Sequence, residues 1–319
     1  MAIPAIEIEG LTKDYFVGFW RKRPRRALDA LTFQVDQGEI FGFLGPNGAG
    51  KTTTLKLLMG LTFPTAGAAR ILGCPLDDVR MHRDIGYLPE QPYFYDYLTA
   101  RELLDYFARF FGFGAAERRE RVSRFLEMVG LSSAAGLPLR KFSKGMLQRI
   151  GIGQAILHDP QVVFLDEPMS GLDPVGRREV RDIILSLKQQ GRTVLFSTHI
   201  LSDAEMLCDR VAVLLNGKLE GVGSPEQIVA IEGQGSEILA ELPAGRGLPS
   251  LLAAHATRTG SRYRLEVAEP DLYDALDALR GCGARILSVT QLKPSLEDYF
   301  FKLVGRQKPA PFAVETVER

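Results

Sequence analysis

A chain of 319 residues with 45% hydrophobic content can build one sizeable domain and a smaller one, and its 39 basic against 39 acidic residues leave no net charge to draw it to nucleic acid or an anionic membrane. Cys74, Cys208 and Cys282 lie far apart with no C-x-x-C pair, so neither a disulfide framework nor a zinc site is expected, and reduced thiols in a cytoplasm fit best. No basic region followed by an apolar block opens the chain, and no uncharged apolar run approaches the ~20 residues of a spanning helix, so neither secretion nor membrane spanning is expected.

Residues 6 to 16 alternate as a strand and end in aromatics. Arg21, Lys22, Arg23, Arg25 and Arg26 then crowd around Trp20 and Pro24 as a basic loop between two strand-like runs. This loop reads either as a solvated hairpin insertion or as a patch touching lipid head groups or a membrane partner. Ile40 to Leu44 reads as a buried strand. Directly after it, Gly45-Pro46-Asn47-Gly48-Ala49-Gly50-Lys51-Thr52-Thr53 matches G-x-x-x-x-G-K-[ST] and opens a helix with Leu55, Leu58 and Met59 on one side. The glycines let the backbone turn sharply, so that N–H groups face phosphate oxygens while the helix presents its positive dipole end. Lys51 is expected to reach the β- and γ-phosphates, and the Thr52 hydroxyl to ligate Mg²⁺.

Beyond this loop, Asp84 to Leu88 forms a short strand, followed by Pro89-Glu90-Gln91-Pro92 and an aromatic group, Tyr93, Phe94, Tyr95 and Tyr97. A capping box at Thr99-Ala100-Arg101-Glu102 starts a helix with Leu103, Leu104, Phe107, Phe110 and Phe111 along one face, and a charged helix follows from about 117 to 129. Together they predict a helical insert over about residues 92–158. The aromatic group is expected in its core, with part lining a groove for a partner helix. Three apolar runs, Val162–Leu165, Thr193–Phe196 and Val211–Leu215, alternate with helical segments near 175–190 and 202–208. That pattern predicts a parallel α/β sheet with ligands at the carboxyl ends of its strands.

Asp166 and Glu167 leave the end of one such strand, where the phosphate loop should also open. The pair fits ATP hydrolysis, with Asp166 holding Mg²⁺ directly or through water and Glu167 orienting and deprotonating the attacking water. His199 follows the strand ending at Ser197-Thr198 and is expected to contact the γ-phosphate or that water. His82, His158 and His255 belong to no constellation. Ser224-Pro225-Glu226-Gln227 starts another helix, and glycines 233 and 235 mark a linker. The expected division is an ATPase domain over 1–232, a small α+β domain over 236–304 and a loose tail over 305–319. In the small domain Ile238, Ala240 and Leu242 alternate, as do Tyr263, Leu265 and Val267. Its helices carry Leu272, Leu276 and Leu279, and then Leu296, Tyr299, Phe300 and Leu303 behind a cap at Ser295, with a strand near 286–290 between them.

Over residues 5 to 230 the order of motifs resembles the nucleotide-binding subunits of ATP-binding cassette (ABC) transporters. Phe142-Ser143-Lys144-Gly145-Met146-Leu147-Gln148-Arg149 resembles their signature motif, departing from Leu-Ser-Gly-Gly-Gln at Phe142, Lys144 and Met146 while keeping Ser143 and Gly145. In the family that helix start faces the γ-phosphate bound by the other subunit. Ser170-Gly171-Leu172-Asp173 matches the D-loop, which couples the two sites, and Tyr15 lies where the family stacks an aromatic on adenine. Aligning Gly86-Tyr87-Leu88-Pro89 puts Glu90 at the Q-loop glutamine position with Gln91 one residue later, and either is a candidate to ligate Mg²⁺ or water. The small domain resembles the accessory domain of multidrug, antibiotic-resistance and gliding-motility exporters, with Pro294 to Phe300 as its closing helix. The resemblance implies a P-loop ATPase with an antiparallel N-terminal part and helical insert, using ATP and Mg²⁺. It implies a homo- or heterodimer closed on two ATP molecules, peripheral on the inner face of the cell membrane and driving export by a separate permease. The alternative is a soluble cassette ATPase acting on ribosomes or nucleic acid.

Overall fold

Three sheets organise the chain in the computed structural model, which describes residues 3–18, 23–230, 235–243, 247–253, 256–292 and 295–307. The chain divides into two compact units, Met1–Pro225 and Glu226–Arg319. In the first, β1 (Ile6–Val17), β2 (Arg23–Val35) and β3 (Ile40–Leu44) lead into α1 (Lys51–Leu58), then β4 (Ala66–Ile71), β5 (Cys74–Pro75) and β6 (Ile85–Leu88). Next come α2 (Ala100–Phe110), α3 (Ala115–Met128) and α4 (Lys144–Ile156). The unit closes with β7 (Val162–Asp166), α5 (Pro174–Gln189), β8 (Thr193–Thr198), α6 (Leu201–Leu207), β9 (Arg210–Leu215) and β10 (Lys218–Gly223).

The central sheet runs β10-β9-β3-β8-β7-β6, parallel except for the edge strand β10. Its middle strands are buried on both faces, and the two-residue period of a strand divides them between two cores. Phe41, Phe43, Phe164 and Leu195 join Ile6, Ile8, Leu28 and Phe33 from the antiparallel sheet β2-β1-β4-β5 and Leu55 of α1. Ile40, Val163, Leu165, Val194 and Phe196 join Leu103, Phe125, Ile150 and Val180 from the helices on the opposite face. Register then sets the chemistry, because Leu44 pairs with Thr198, Asp166 with Ser197 and Leu88 with Leu165. Four neighbouring strands therefore end on one rim.

Several expectations need correction. Arg23, Arg25 and Arg26 are not loop but strand, with Tyr15 opposite Arg25 and Phe16 opposite Pro24. Strand β2 is a sheet edge, where proline is tolerated, and Arg26 is held by Asp14 at 3.0 Å and Asp29 at 2.8 Å. Trp20, Arg21 and Lys22 lie outside the described residues. Of the four aromatics after β6, the three tyrosines are not insert core. Tyr93 is 92% exposed and Tyr95 and Tyr97 are also exposed, while Phe94 packs against the core. Their segment has no regular structure to bury alternate residues, and the phenols keep their hydroxyls in water. On α2 the capping box forms, with Thr99 N–H and hydroxyl donating to Glu102 at 2.8 Å each. Leu103 and Leu104 are buried, but Phe110 and Phe111 at its end are exposed.

The second unit carries a four-stranded antiparallel sheet, β12-β13-β11-β14. After α7 (Pro225–Ala230) come β11 (Gly235–Glu241), α8 (Ser250–Ala253), β12 (Ala256–Thr259), β13 (Arg262–Ala268), α9 (Leu272–Gly281), β14 (Arg285–Leu292) and α10 (Leu296–Gln307). Gly235, read as linker, is the first residue of β11. Ile238, Ala240, Leu265 and Val267 make one buried face against Ala275 and Leu279. Ser295 and Asp298 cap α10 reciprocally, and the helix runs to Gln307, into the stretch expected as tail. Gly233, His255, Pro294 and residues 308–319 lie outside the described residues.

The joint between the central sheet and the insert is tight. A Cβ at Gly86 on β6 would collide with the Ala155 carbonyl oxygen of α4. Gly86→Ala is therefore expected to lower unfolding free energy by about 2 kcal/mol, visible as a lower urea midpoint; an unchanged midpoint contradicts this close approach.

Candidate functional site

The phosphate loop leaves β3, and the chain enters α1 through Gly50 at φ 112°, a left-handed conformation that only glycine adopts without cost. A Cβ at Gly50 would also meet Leu28 Cδ2 at 2.5 Å and the Ala27 carbonyl at 2.9 Å, so the loop rests directly on strand β2. Backbone bonds continue this support, with Asp29 N–H donating to the Gly217 carbonyl at 2.8 Å and Gly217 N–H to the Ala49 carbonyl at 3.0 Å. The first-turn amides of α1 have no carbonyl within the helix to bond and form the floor of the cradle.

Lys51 is only 6% exposed. Its ammonium donates to the Gly45 carbonyl at 2.6 Å and lies 3.2 Å from Glu167 Oε1. That oxygen accepts no directed hydrogen bond, so charge attraction alone holds it to Lys51. Glu167 Oε2 lies 2.8 Å from His199 Nδ1, and His199 is half-exposed. The Thr52 hydroxyl lies 3.4 Å from Asp166 Oδ1. The structure thus brings Lys51, Thr52, Asp166, Glu167 and His199 together at the adjacent ends of β3, β7 and β8.

Glu167 has φ 49°, a left-handed conformation uncommon for a residue with a side chain. Ser197 holds it there. The Ser197 hydroxyl accepts the Glu167 N–H at 2.9 Å and donates to Asp166 Oδ1 at 2.5 Å, while the Ser197 carbonyl accepts the same N–H at 3.2 Å. Sequence reasoning passed over this residue. The available signal was a hydroxyl at the end of the otherwise apolar run Val194 to Phe196, beside a strand that ends in two carboxylates.

A cleft of about 320 Å³ is lined by Pro46, Asn47, Gly48, Gly50, Lys51, Thr52 and Thr53, with Ala27, Glu90 and Glu167. Of the two candidates after β6, Glu90 faces this cleft and Gln91 is not among its lining residues. The Tyr87 hydroxyl is pushed up to about 12, first by burial and then by the Asp166 and Glu90 carboxylates, so those two charges share one local field. Tyr15 is exposed on β1 with the Lys13 ammonium 5.1 Å from its ring, and it does not line the cleft.

Ser143 and Gly145 lie elsewhere. Ser143 caps α4, its hydroxyl accepting the Met146 N–H at 3.2 Å, and Asp173 caps α5 by accepting the Gly176 N–H at 2.8 Å. Both line a separate cleft of about 280 Å³ with Lys144, Gly145, Gly171 and Leu172.

Among the described residues no three His, Cys, Asp or Glu side chains converge on a metal site. The donor set at Thr52 and Asp166 fits Mg²⁺ nonetheless, since this ion keeps waters and phosphate oxygens and needs only one or two protein ligands. Removing the Ser197 hydroxyl loosens both carboxylates at once, so Ser197→Ala is expected to lower nucleotide turnover about tenfold, measured by steady-state phosphate release.

A family model described as ABC transporter matches residues 28–170. An ABC transporter ATP-binding protein of Synechocystis sp. is 45% identical over 303 residues, spanning 93% of this chain and 84% of its own. The Nod factor export ATP-binding protein I of Ralstonia nicotianae is 34% identical over 315 residues, spanning 95% of each. A solved dimer of the ATP-binding cassette MJ0796, in a post-hydrolysis state with ADP and phosphate, superposes with a TM-score of 0.62 at 26% identity over 69% of this chain and 98% of that one. The strand-end cluster, the parallel P-loop architecture and relatives matched along nearly their whole length agree: this chain belongs to the ABC transporter ATP-binding proteins and is an ATPase.

Proposed function

We propose that this chain is the subunit that closes as a dimer around two ATP molecules and powers a separate membrane permease that exports a substrate. The observation that carries the reading is the cluster in which Lys51 and His199 both bind Glu167 while Thr52 sits beside Asp166. In it the loop from Gly45 to Thr53 cradles the triphosphate and Lys51 reaches its terminal phosphates. Glu167 orients and deprotonates the attacking water. His199, held through Nδ1, keeps Nε2 for that water or, when protonated, for the γ-phosphate. Mg²⁺, when bound by Thr52, Asp166 and Glu90, neutralises charge on the phosphate oxygens. Tyr15 supplies the adenine platform.

The dimer is supported by the separation of the two clefts: Ser143, Gly145 and Asp173 line one and Lys51 the other, so a site that uses all of them draws on two molecules. The solved cassette MJ0796 is a dimer bound to ADP and phosphate. Export is supported by the relatives named for Nod factor export. Among the described residues no helix is long and apolar enough to cross a membrane, so passage is assigned to another chain, with this one on the inner face of the cell membrane. The identity with the Synechocystis protein spans 303 residues, more than the first unit contains, so the relatives share the second unit as well. That unit is assigned an accessory role, in dimer stability or permease contact.

Exposed rings of Tyr95, Tyr97, Tyr106 and Phe110 form one connected cluster, with Tyr95 edge-on to Tyr106 at 6.2 Å and Tyr106 edge-on to Phe110 at 5.1 Å. Exposed aromatic clusters mark partner surfaces, and this one is the candidate seat for a permease helix.

Glu167→Gln is expected to accumulate an ATP-bound dimer by light scattering while phosphate release falls at least about a hundredfold; hydrolysis at the parent rate would remove Glu167 from the mechanism. Tyr106→Ala with Phe110→Ala is expected to cut co-purification with the permease about tenfold while ATP affinity changes less than about twofold. The reverse pattern assigns the cluster to the ATPase fold instead.

A further inference from the structure

The two places where this chain departs in charge from the family pattern are opposite in sign. Glu90 stands where a neutral glutamine is the family's choice, and Lys144 where a glycine is. Both side chains are exposed, and neither forms an ion pair or hydrogen bond among the described residues. Glu90 lines the cleft around Lys51, and Lys144 lines the cleft around Ser143 and Asp173.

Each charge is badly placed within a single molecule. Among the described residues lining the phosphate cleft, Glu90 and Glu167 are the acids and Lys51 is the one base, and its ammonium is already held by Glu167 and the Gly45 carbonyl. A triphosphate entering there adds more negative charge than its Mg²⁺ ion offsets. In the other cleft the acids are already engaged, Asp173 as the cap of α5 and Glu179 with Arg149 at 3.4 Å. The ammonium of Lys144 lies against Gly171, at φ 66°, where any Cβ would collide with it. Gly171 thus leaves room for the lysine to stand over the loop that ends in Asp173.

We propose that Lys144 of one molecule pairs with Glu90 of a second copy of this chain, across the nucleotide, when the two clefts meet. This rests on the dimer reading above and deepens it. The pair offsets the extra carboxylate beside the phosphates, and closure takes both charges out of water, which strengthens their attraction. It also selects the partner, because a subunit with glutamine and glycine at these positions offers neither charge.

The test is a double-mutant cycle on the full chain carrying Glu167→Gln, with ATP and Mg²⁺ present and the dimer dissociation constant read by analytical ultracentrifugation. Glu90→Lys and Lys144→Glu are each expected to raise that constant at least about tenfold, and the double swap to return it to within about threefold of the parent. Glu90→Gln and Lys144→Gln, which remove charge without reversing it, should show the same non-additivity. Losses that simply multiply, or a single reversal without effect, overturn the pairing while leaving the ATP dimer intact. A Glu167→Gln parent that stays monomeric in ATP overturns the dimer reading, and the pairing with it.

Discussion

Everything chemical here depends on the lateral register of parallel strands. Because Leu44, Asp166 and Thr198 end their strands on one rim, an ammonium, two carboxylates and an imidazole meet although more than a hundred residues of chain separate the first from the rest. The register is held by apolar alternation, since a slip of one residue would turn Phe41, Phe43 and Phe164 from one core into the other. Two cores of different composition therefore guard one alignment. The site inherits its precision from the packing of side chains that never touch it.

Within that alignment, the buried Lys51–Glu167 pair is costly unless other groups share the desolvation. Carbonyls of the phosphate loop take up the ammonium, and His199 takes one carboxylate oxygen. Glu167 Oε1 is left with attraction but no directed hydrogen bond, and its backbone is held in a left-handed conformation by Ser197. A strained backbone and an oxygen without a directed hydrogen bond are features that cluster at functional sites, in keeping with the role proposed for Glu167.

Features encoded locally were legible in the sequence. The phosphate loop, the capping box at Thr99 and the apolar strands ending at Asp166 and Thr198 are each written in a few consecutive residues, and the structure forms them. What depends on distant packing was not. Strand β4 has the sequence Ala-Gly-Ala-Ala-Arg-Ile, too small in its side chains to read as a strand, and it exists because β1 pairs with it. Tyr93, Tyr95 and Tyr97 read as core by composition, yet they stand in water because no regular element orders them inward. The basic run read as a loop, whereas its pairing with β1 carries the strand through Arg23. Ser197 acts through neighbours thirty positions upstream, so its role becomes visible only once β7 and β8 lie side by side.

Strand β2 bears on the phosphate loop through Ala27 and Leu28, and the turn at Gly217 ties that strand to Ala49. The nine-residue fingerprint is thus a keystone without an arch of its own. A shortened chain starting at Ile40 would keep every letter of it and lose the wall it leans against, so possession of the fingerprint and ability to grip a triphosphate are separate properties. In this fold the second belongs to the antiparallel sheet as much as to the glycines.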